Sequence, residues 1–411
     1  MAHYTKDEAI AYIEENDVKF IRLAFCDVLG RHKNISIMPS ELPQAFADGI
    51  RIDYHKITGQ RRGELADLYL RPDPSTLSVL PWRPQTGRVV RFYCAISLAD
   101  GTPYANDARS LLKDTVEECR RKGFSCRIGL YSEFYLFKVD EAGNPTQEPW
   151  DKGGYLDIAP LDKGENIRRE ICLSLESMGI VPEKSYHEAG PGQNEIDFRA
   201  ADALSSADDF MTYKNVVTSI AGRNGAYASF DPKPMKWDSG NGLHLKFNLH
   251  CAGEDLSVSD PETETQFLAG VFHRMRDITV FLNAKSQSYE RFGEKEAPRN
   301  ITWSTKRASR LLQIPTVDGH RAGFVLRSPD ATINPYLAFA VILRAGLAGI
   351  ENGETLPPET DGSNANEQAA GKLPVSLGEA INAARQSDFL KGEAMAAITE
   401  RYLGALEKEA D

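Results

Sequence analysis

Residues 187–198 read His-Glu-Ala-Gly-Pro-Gly-Gln-Asn-Glu-Ile-Asp-Phe, with two carboxylates flanking a glycine-rich turn that leads into an apolar strand. Mg²⁺ and Mn²⁺ prefer carboxylate oxygen as a ligand, and glycine allows a turn tight enough to bring Glu188 and Glu195 onto one ion. An isolated pair of glutamates is more typical of a solvated acidic loop. The interpretation of this stretch therefore depends on the rest of the chain.

Two other segments alternate apolar and polar residues, which predicts β-strands that are covered on one side. In the first, the apolar face consists of Ile128, Leu130, Phe134 and Leu136, and the polar face of Arg127, Tyr131 and Glu133. In the second, the apolar face consists of Leu243, Leu245, Phe247 and Leu249, and the polar face of His244, Lys246, Asn248 and His250. Ligand-type residues recur on the polar faces, which indicates a site, although either segment alone is equally typical of an ordinary solvated strand face.

Composition narrows the class of protein. The chain has 411 residues, enough for one large and one small domain, and its net charge of −11 argues against nucleic acid and anionic membranes as partners. It contains no apolar run of membrane-spanning length, and residues 1–7 lack a signal-peptide core. Six cysteines without a Cys-x-x-Cys pair are interpreted as reduced, mostly buried thiols. These features agree with a cytoplasmic enzyme.

With these segments as a guide, the chain resembles the glutamine synthetase family in a series of motifs that follow the family's order. The motifs are Phe25–Gly30, Arg71–Thr76, Gly129–Phe134, Gly153–Asp157, His187–Glu188, Gly192–Asp197, Asp231–Pro234, Gly240–His244, Glu296–Pro298 and Asn334–Leu337. Because they span nearly the whole chain, the chain is identified as a member of this family.

The resemblance implies an α+β fold with a small β-grasp domain over residues 1–102. A large glutamine synthetase-type catalytic α/β domain with an antiparallel, barrel-like sheet is implied for residues 103–411. Local patterns agree: a capping box at Thr5 and Glu8 starts a helix, a strand is predicted over 18–25, and a hairpin joins it to 34–37. A helix is predicted over 110–121 and a surface loop over 359–371.

The family's reaction is a two-step synthesis in which ATP phosphorylates the γ-carboxylate of glutamate and ammonia then displaces phosphate. Two divalent metals normally serve it. Residue by residue, the resemblance assigns Glu133, Glu188 and Glu195 as ligands of the first metal, Mg²⁺ or Mn²⁺. All three are present in this chain.

The second metal site departs from the family pattern. Tyr131 and Val325 stand where the family has glutamates, and only His244 remains as a ligand. Mg²⁺ requires several hard oxygens, so one imidazole is a poor site and only one metal is predicted. Of the positions that resemble nucleotide contacts, Glu183 is retained, whereas Lys246, Asn248 and Gln313 replace a histidine, a serine and an arginine of the family.

The substrate side resembles the family more closely. Arg291 and Arg327 match arginines that bind the substrate carboxylate, Gly240 matches a substrate-contacting glycine, and His244 is also assigned to substrate binding. The positions assigned to catalysis are Arg327, a flap glutamate at Glu296 that helps to deprotonate ammonium, and Asp53, which the small domain lends to a neighbouring subunit. The segment from Arg291 to Glu296 is one residue shorter than in the family, and His55 and Lys56 replace serines that normally follow the aspartate.

Two hypotheses remain open. In the first, the chain is a ligase that joins a glutamate-like carboxylate to ammonia or another amine with ATP. In the second, it is a catalytically degenerate member that binds a glutamate-like ligand or serves as a scaffold or regulator. The resemblance implies a homo-oligomer of stacked hexameric rings, a dodecamer. No regulatory tyrosine lies between Glu351 and Pro374, so adenylylation is not expected.

Overall fold

The computed structural model of the chain describes residues 4–53, 57, 67–295, 297–307, 309–360 and 371–410. Within them, the strands form two large sheets, one from each part of the chain, and a small two-stranded sheet. The two large sheets divide the chain in the order that the motifs suggested.

The first sheet has six strands in the order β2-β1-β6-β4-β3, with β5 paired to β6. Its strands are β1 Val18–Cys26, β2 His32–Ile37, β3 Ile50–Ile52, β4 Leu68–Pro72, β5 Ser78–Val79 and β6 Arg88–Ser97. β1 and β2 form the predicted antiparallel hairpin, whereas β1 and β6 pair in parallel. Helices α1 Lys6–Glu15 and α2 Leu42–Ala47 contribute Ala9 and Phe46 to the core of this sheet. The predicted capping box at Thr5 and Glu8 is confirmed.

The second sheet has ten strands, of which seven follow the order β14-β15-β18-β12-β7-β10-β9. Its strands are β7 Phe124–Val139, β8 Pro145–Pro149, β9 Pro182–His187, β10 Gln193–Asp202, β11 Ala226–Ser229, β12 Leu243–Cys251, β13 Glu254–Asp255, β14 Trp303–Ser304, β15 Leu312–Gln313 and β18 Phe324–Leu326. The separate pair is β16 Thr316–Val317 and β17 His320–Arg321. All pairs of the second sheet are antiparallel except β14 with β15.

Alternation along β7 and β12 sets the two faces of this sheet. Leu130 and Phe134 of β7 and Leu245 and Phe247 of β12 are fully buried, as the sequence predicted. Helices pack on this apolar face, because burial of its large side chains supplies most of the stabilisation of the domain. The polar face of the same strands is left open on the other side.

The helices of the second part begin with α3 Ala108–Arg121, which starts two residues before the predicted position because the side chain of Asp107 caps it. The others are α4 Glu165–Ser177, α5 Ala203–Arg223, α6 Leu256–Ser259, α7 Pro261–His273, α8 Met275–Leu282, α9 Ser286–Glu290, α10 Pro335–Glu351, α11 Leu377–Gln386 and α12 Glu393–Ala410. None of the described helices is both long and apolar enough to cross a membrane. The predicted surface loop at 359–371 lies mostly outside the described residues.

The turn of the first hairpin meets α10. Asn334 caps α10 and also donates to the carbonyl oxygens of Asp27 and Val28. A Cβ atom on Gly30, which has φ of +82°, would lie 2.8 Å from the Cα of Asn334. Glycine is therefore required in this turn of the Phe25–Gly30 motif for two reasons, backbone conformation and close approach. All six cysteines are free thiols, four of them buried, as predicted.

Candidate functional site

A cavity of about 640 Å³ opens on the polar face of the second sheet. Seven residues assigned from the sequence line it: Glu133, Glu188, Glu195, Gly240, His244, Arg291 and Arg327. They come from β7, β10, β12 and four loops, so the fold brings together residues that lie up to 194 positions apart in the chain, from Glu133 to Arg327.

The register of the strands arranges the polar face of the second sheet in three rows, of which the first two line the cavity. The carboxylate row contains Tyr186, Glu195, Glu133 and Gly242. The tyrosine row contains Lys184, Asp197, Tyr131 and His244. The third row contains Gly129, Lys246, Val325 and Gln313. Neighbouring rows are two residues apart along each strand, so all three lie on the same face.

Glu133 and Glu195 face each other directly in the carboxylate row. The Oε2 atom of Glu133 accepts hydrogen bonds from the backbone N–H of Gly242 at 2.8 Å and from Gln193 Nε2 at 3.0 Å. Burial and the neighbouring Glu195 raise the pKa of Glu133 to about 8. Burial and the adjacent Asp197 also raise the pKa of Glu195, whose Oε1 accepts a 2.5 Å hydrogen bond from the Tyr186 hydroxyl. Buried carboxylates this close together repel one another, and a divalent cation relieves that repulsion.

Gly242 leaves open the space where three functional groups meet. A Cβ atom at this position would lie 3.3 Å from His244 Nε2, 3.4 Å from Glu133 Oε1 and 3.7 Å from Arg291 Nη2. Burial, together with Arg327 and Arg291, lowers the pKa of His244 well below its usual value, so the imidazole is neutral. A neutral imidazole, a carboxylate and a guanidinium therefore surround one small volume.

Glu188 lies on the turn between β9 and β10, and a buried network fixes that turn. Nδ1 of His187 donates to the carbonyl of Glu188 at 2.7 Å, and Nε2 bonds Asp151 Oδ1 at 2.8 Å. Asp151 also accepts from the backbone N–H of Gly192 at 2.9 Å. Although burial opposes it, hydrogen bonds to Asp151 and the Glu188 carbonyl raise the pKa of His187. The ring therefore bridges the loop around Asp151 to the turn that carries Glu188.

Asp151, Asp162 and His187 are the only described residues that bring three potential metal-ligand atoms within 4.8 Å of one another. Both ring nitrogens of His187 are already hydrogen bonded, and Asp162 pairs with Arg168 at 2.5 Å. This cluster is therefore a closed ion network. The three glutamates of the predicted metal site line one cavity, but their oxygens do not converge to that spacing. Their donor chemistry fits Mg²⁺ or Mn²⁺, and side-chain rotation about the torsions of glutamate is needed to close the site.

The residues that resemble nucleotide contacts lie away from the cavity wall. Lys246, Asn248 and Gln313 belong to strands of the same sheet, but none of them lines the cavity. Glu183 lies on β9, where one of its oxygens is 3.7 Å from Arg199 Nε. Val325 is buried beside Lys246 in the third row. Their assignment to the nucleotide stays a prediction.

The substrate-side residues divide into three groups. Arg291 is buried, with Nη1 3.4 Å from Asp330 Oδ2, and it lines the cavity with Arg327 and Gly240. Asp53 lies directly after β3, is exposed and does not line the cavity. Glu296, His55 and Lys56 lie outside the described residues.

Sequence reasoning missed several residues that shape the site. Gln193 was within the quoted stretch, but nothing in the sequence shows that its amide bonds Glu133 Oε2, the carbonyl of Gly240 at 3.1 Å and, as acceptor, the N–H of Gly190 at 2.9 Å. The role of Tyr186 follows from its register opposite Glu195. Asp151 is 36 residues from His187, so no local pattern connects the two.

Comparisons with known proteins agree with this geometry. The family description "Glutamine synthetase, beta-Grasp domain" matches residues 17–99, and "Glutamine synthetase, catalytic domain" matches residues 105–411. Glutamine synthetase of Methanosarcina mazei is 41% identical, over 99% of this chain and 94% of the relative. Glutamine synthetase of Clostridium saccharobutylicum is 39% identical, over 95% of this chain and 91% of the relative. A solved structure of a GmaS/ADP complex superposes with a TM-score of 0.88 at 27% identity, over 98% of this chain and 95% of that chain.

These matches confirm the predicted fold class, a β-grasp domain followed by a large catalytic domain. The boundary predicted at residue 102 stays a prediction. The chain belongs to the glutamine synthetase family and is a ligase of the ATP-dependent glutamate–ammonia type.

Proposed function

We propose that the cavity joins a glutamate-like γ-carboxylate to ammonia or another amine with ATP, using one tightly bound Mg²⁺ or Mn²⁺. Glu133, Glu188 and Glu195 would hold the ion, with His244 beside it. The observation that carries the proposal is the carboxylate row, in which the buried Glu195 and the half-buried Glu133 face each other on the cavity floor. When bound, the ion orients the carboxylate and neutralises phosphoryl charge.

Other residues of the chain would bind the substrate, accept the proton and contact the nucleotide. Arg291 and Arg327 bind the substrate carboxylate in bidentate fashion, and Gly240 lets the loop approach closely. Glu296 accepts a proton from the ammonium ion. Glu183, Lys246, Asn248 and Gln313 would contact the nucleotide. The structural relative that was solved as a GmaS/ADP complex supports nucleotide use.

Asp53 supports an oligomer as the working form. It is exposed and does not line the cavity of its own chain. The aspartate would therefore reach an active site from a second copy of the chain, in stacked hexameric rings that form a dodecamer. Light scattering tests this: a large oligomer is expected, and a stable monomer at micromolar concentration would contradict it. We further propose a cytoplasmic location, and neither nucleic acid nor membrane as partner.

Phosphate release separates the ligase from the binding-only alternative. The protein is offered ATP, Mg²⁺ or Mn²⁺, glutamate and a panel of amines that begins with ammonia, and phosphate release is expected with at least one amine. Thermal unfolding with glutamate alone is followed in parallel. If no amine of the panel leads to phosphate release while glutamate still raises the melting temperature, the ligase is rejected and a carboxylate-binding role remains.

A further inference from the structure

The segment Arg291–Lys295 forms two tight turns at the cavity mouth. The N–H of Glu294 donates to the carbonyl of Arg291, and the N–H of Gly293 donates to the carbonyl of Ala297, both at 3.0 Å. The N–H of Ala297 in turn donates to the carbonyl of Glu294 at 3.1 Å. Glu294, Lys295 and Ala297 all line the cavity. The segment therefore forms part of the wall beside Arg291.

An ion pair joins this segment to the loop Pro232–Gly240. Lys233 is only 7% exposed, and its Nζ donates to Glu294 Oε2 at 2.6 Å and to the carbonyl of Asp238 at 2.8 Å. Hydrogen bonding by Lys233 lowers the pKa of Glu294. A buried ammonium group is costly without a counter-charge, and Glu294 supplies it. Next along the chain, Lys295 Nζ donates to Ser239 Oγ at 3.2 Å.

The two segments also pack closely at the substrate arginine. A Cβ atom on Gly240 would lie 2.6 Å from Arg291 Cγ and 2.6 Å from the carbonyl oxygen of Pro232. The loop Pro232–Gly240 therefore contacts the stem of Arg291 with no room for a side chain. Any movement of the loop away from the segment would remove this contact.

We propose that Lys233 and Glu294 are a positioning pair, which fastens the segment Arg291–Lys295 to the loop Pro232–Gly240 and so fixes Arg291 before the substrate carboxylate arrives. The pair lies at the edge of the cavity, since the Glu294 side chain is 58% exposed while that of Lys233 is 5% exposed. Its effect on turnover rests on the proposed function. Its effect on the mouth of the cavity does not, because the contacts exist without substrate.

Hydrogen exchange in a double-mutant cycle tests the pair directly. Glu294→Gln removes the counter-charge, Lys233→Met keeps the stem of the lysine without its charge, and the third protein carries both changes. Exchange of the Gly293, Glu294 and Ala297 amides is expected to accelerate about tenfold in each single variant. Because either change breaks the same pair, the double variant should exchange no faster than the faster single variant.

A matched control removes a similar carboxylate elsewhere. Glu407 pairs with Arg385 at 2.6 Å, and neither residue lines the cavity, so Glu407→Gln should leave the three amides unchanged. Unchanged exchange in both single variants, or additive acceleration in the double variant, would overturn the proposal. If phosphate release is measurable, the single variants should raise the KM for glutamate more than they lower kcat. If neither the unaltered protein nor any variant releases phosphate, the proposed function fails. The exchange result still decides whether Lys233 and Glu294 act as a positioning pair.

Discussion

The carboxylate row and the third row belong to the same sheet, yet they differ in what they can bind. The carboxylate row presents the buried Glu195 opposite the half-buried Glu133. The third row presents Lys246, Val325 and Gln313, none of which is an anionic ligand. Between them, the tyrosine row places the Tyr131 phenol beside His244. The rows thus share one strand register and differ in their side chains, because register depends on the backbone and metal binding on side chains.

The largest expected effect comes from the carboxylate row. Glu133→Gln keeps an oxygen that accepts from the Gly242 N–H and removes the charge that a divalent ion needs. We expect phosphate release to fall about a thousandfold, and calorimetry should show Mn²⁺ affinity reduced with it. The control is Glu148→Gln on the exposed strand β8, where the carboxylate pairs with Lys138. Equal activity in Glu133→Gln and the control would remove the carboxylate row from the mechanism.

The substrate side should respond next. Arg291→Lys keeps a positive charge near Asp330 but loses the planar fork that pairs with a carboxylate. The KM for glutamate is expected to rise about 10- to 100-fold with a smaller change in kcat. Steady-state phosphate release measures both constants. A fall in kcat at unchanged KM would place Arg291 outside substrate binding.

A smaller effect is expected from the hydrogen bonds of Asp151 and His187, which support the turn that carries the predicted metal ligand Glu188. Asp151→Asn weakens the support that His187 gives to the turn of Glu188. Mn²⁺ affinity should fall about tenfold, as is typical for residues that orient a ligand. Asp140→Asn, in an exposed turn, is the control. A lower melting temperature with unchanged Mn²⁺ affinity would show that Asp151 supports only the fold.

The smallest expected effect is a gain of metal binding when glutamates are introduced in the tyrosine row and the third row. Tyr131→Glu and Val325→Glu together should allow a second, more weakly bound ion beside His244. Each change alone should give lower occupancy of that ion, because ligands of one ion act non-additively. Anomalous scattering from Mn²⁺-soaked crystals measures the number of ions. We expect one strong peak in each subunit of the unaltered protein. Two fully occupied peaks in each subunit of the unaltered protein would contradict the prediction that only the carboxylate row binds a metal ion.

Much of the fold was predictable because its signals are local. The period-two pattern of β7 and β12 correctly predicted which side chains are buried. The capping box at Thr5 correctly predicted where α1 begins. Helix α3 began at Ala108 instead of Ser110, since the cap at Asp107 is a single side-chain contact that periodicity does not reveal. Helix and strand patterns repeat over many residues, whereas a cap depends on one.

Several residues assigned from the sequence lie around one cavity, but their arrangement was less predictable. Glu133, Glu188 and Glu195 line one cavity, as expected for the first metal. The positions assigned to the nucleotide do not line it, and no sequence pattern indicated that Lys246 would stand beside a buried Val325. Strand register between distant segments decides such neighbours.

By itself, the sequence determined the family, the alternation of the strands and which candidate ligand side chains are present, because side-chain chemistry and period are properties of the chain. Only the tertiary structure decided that Asp151 supports the Glu188 turn and that Lys233 meets Glu294, 61 residues further along the chain. Both contacts join distant parts of the chain and bury at least one charged or polar partner. Their energies depend on desolvation and close packing, which exist only once the chain has folded.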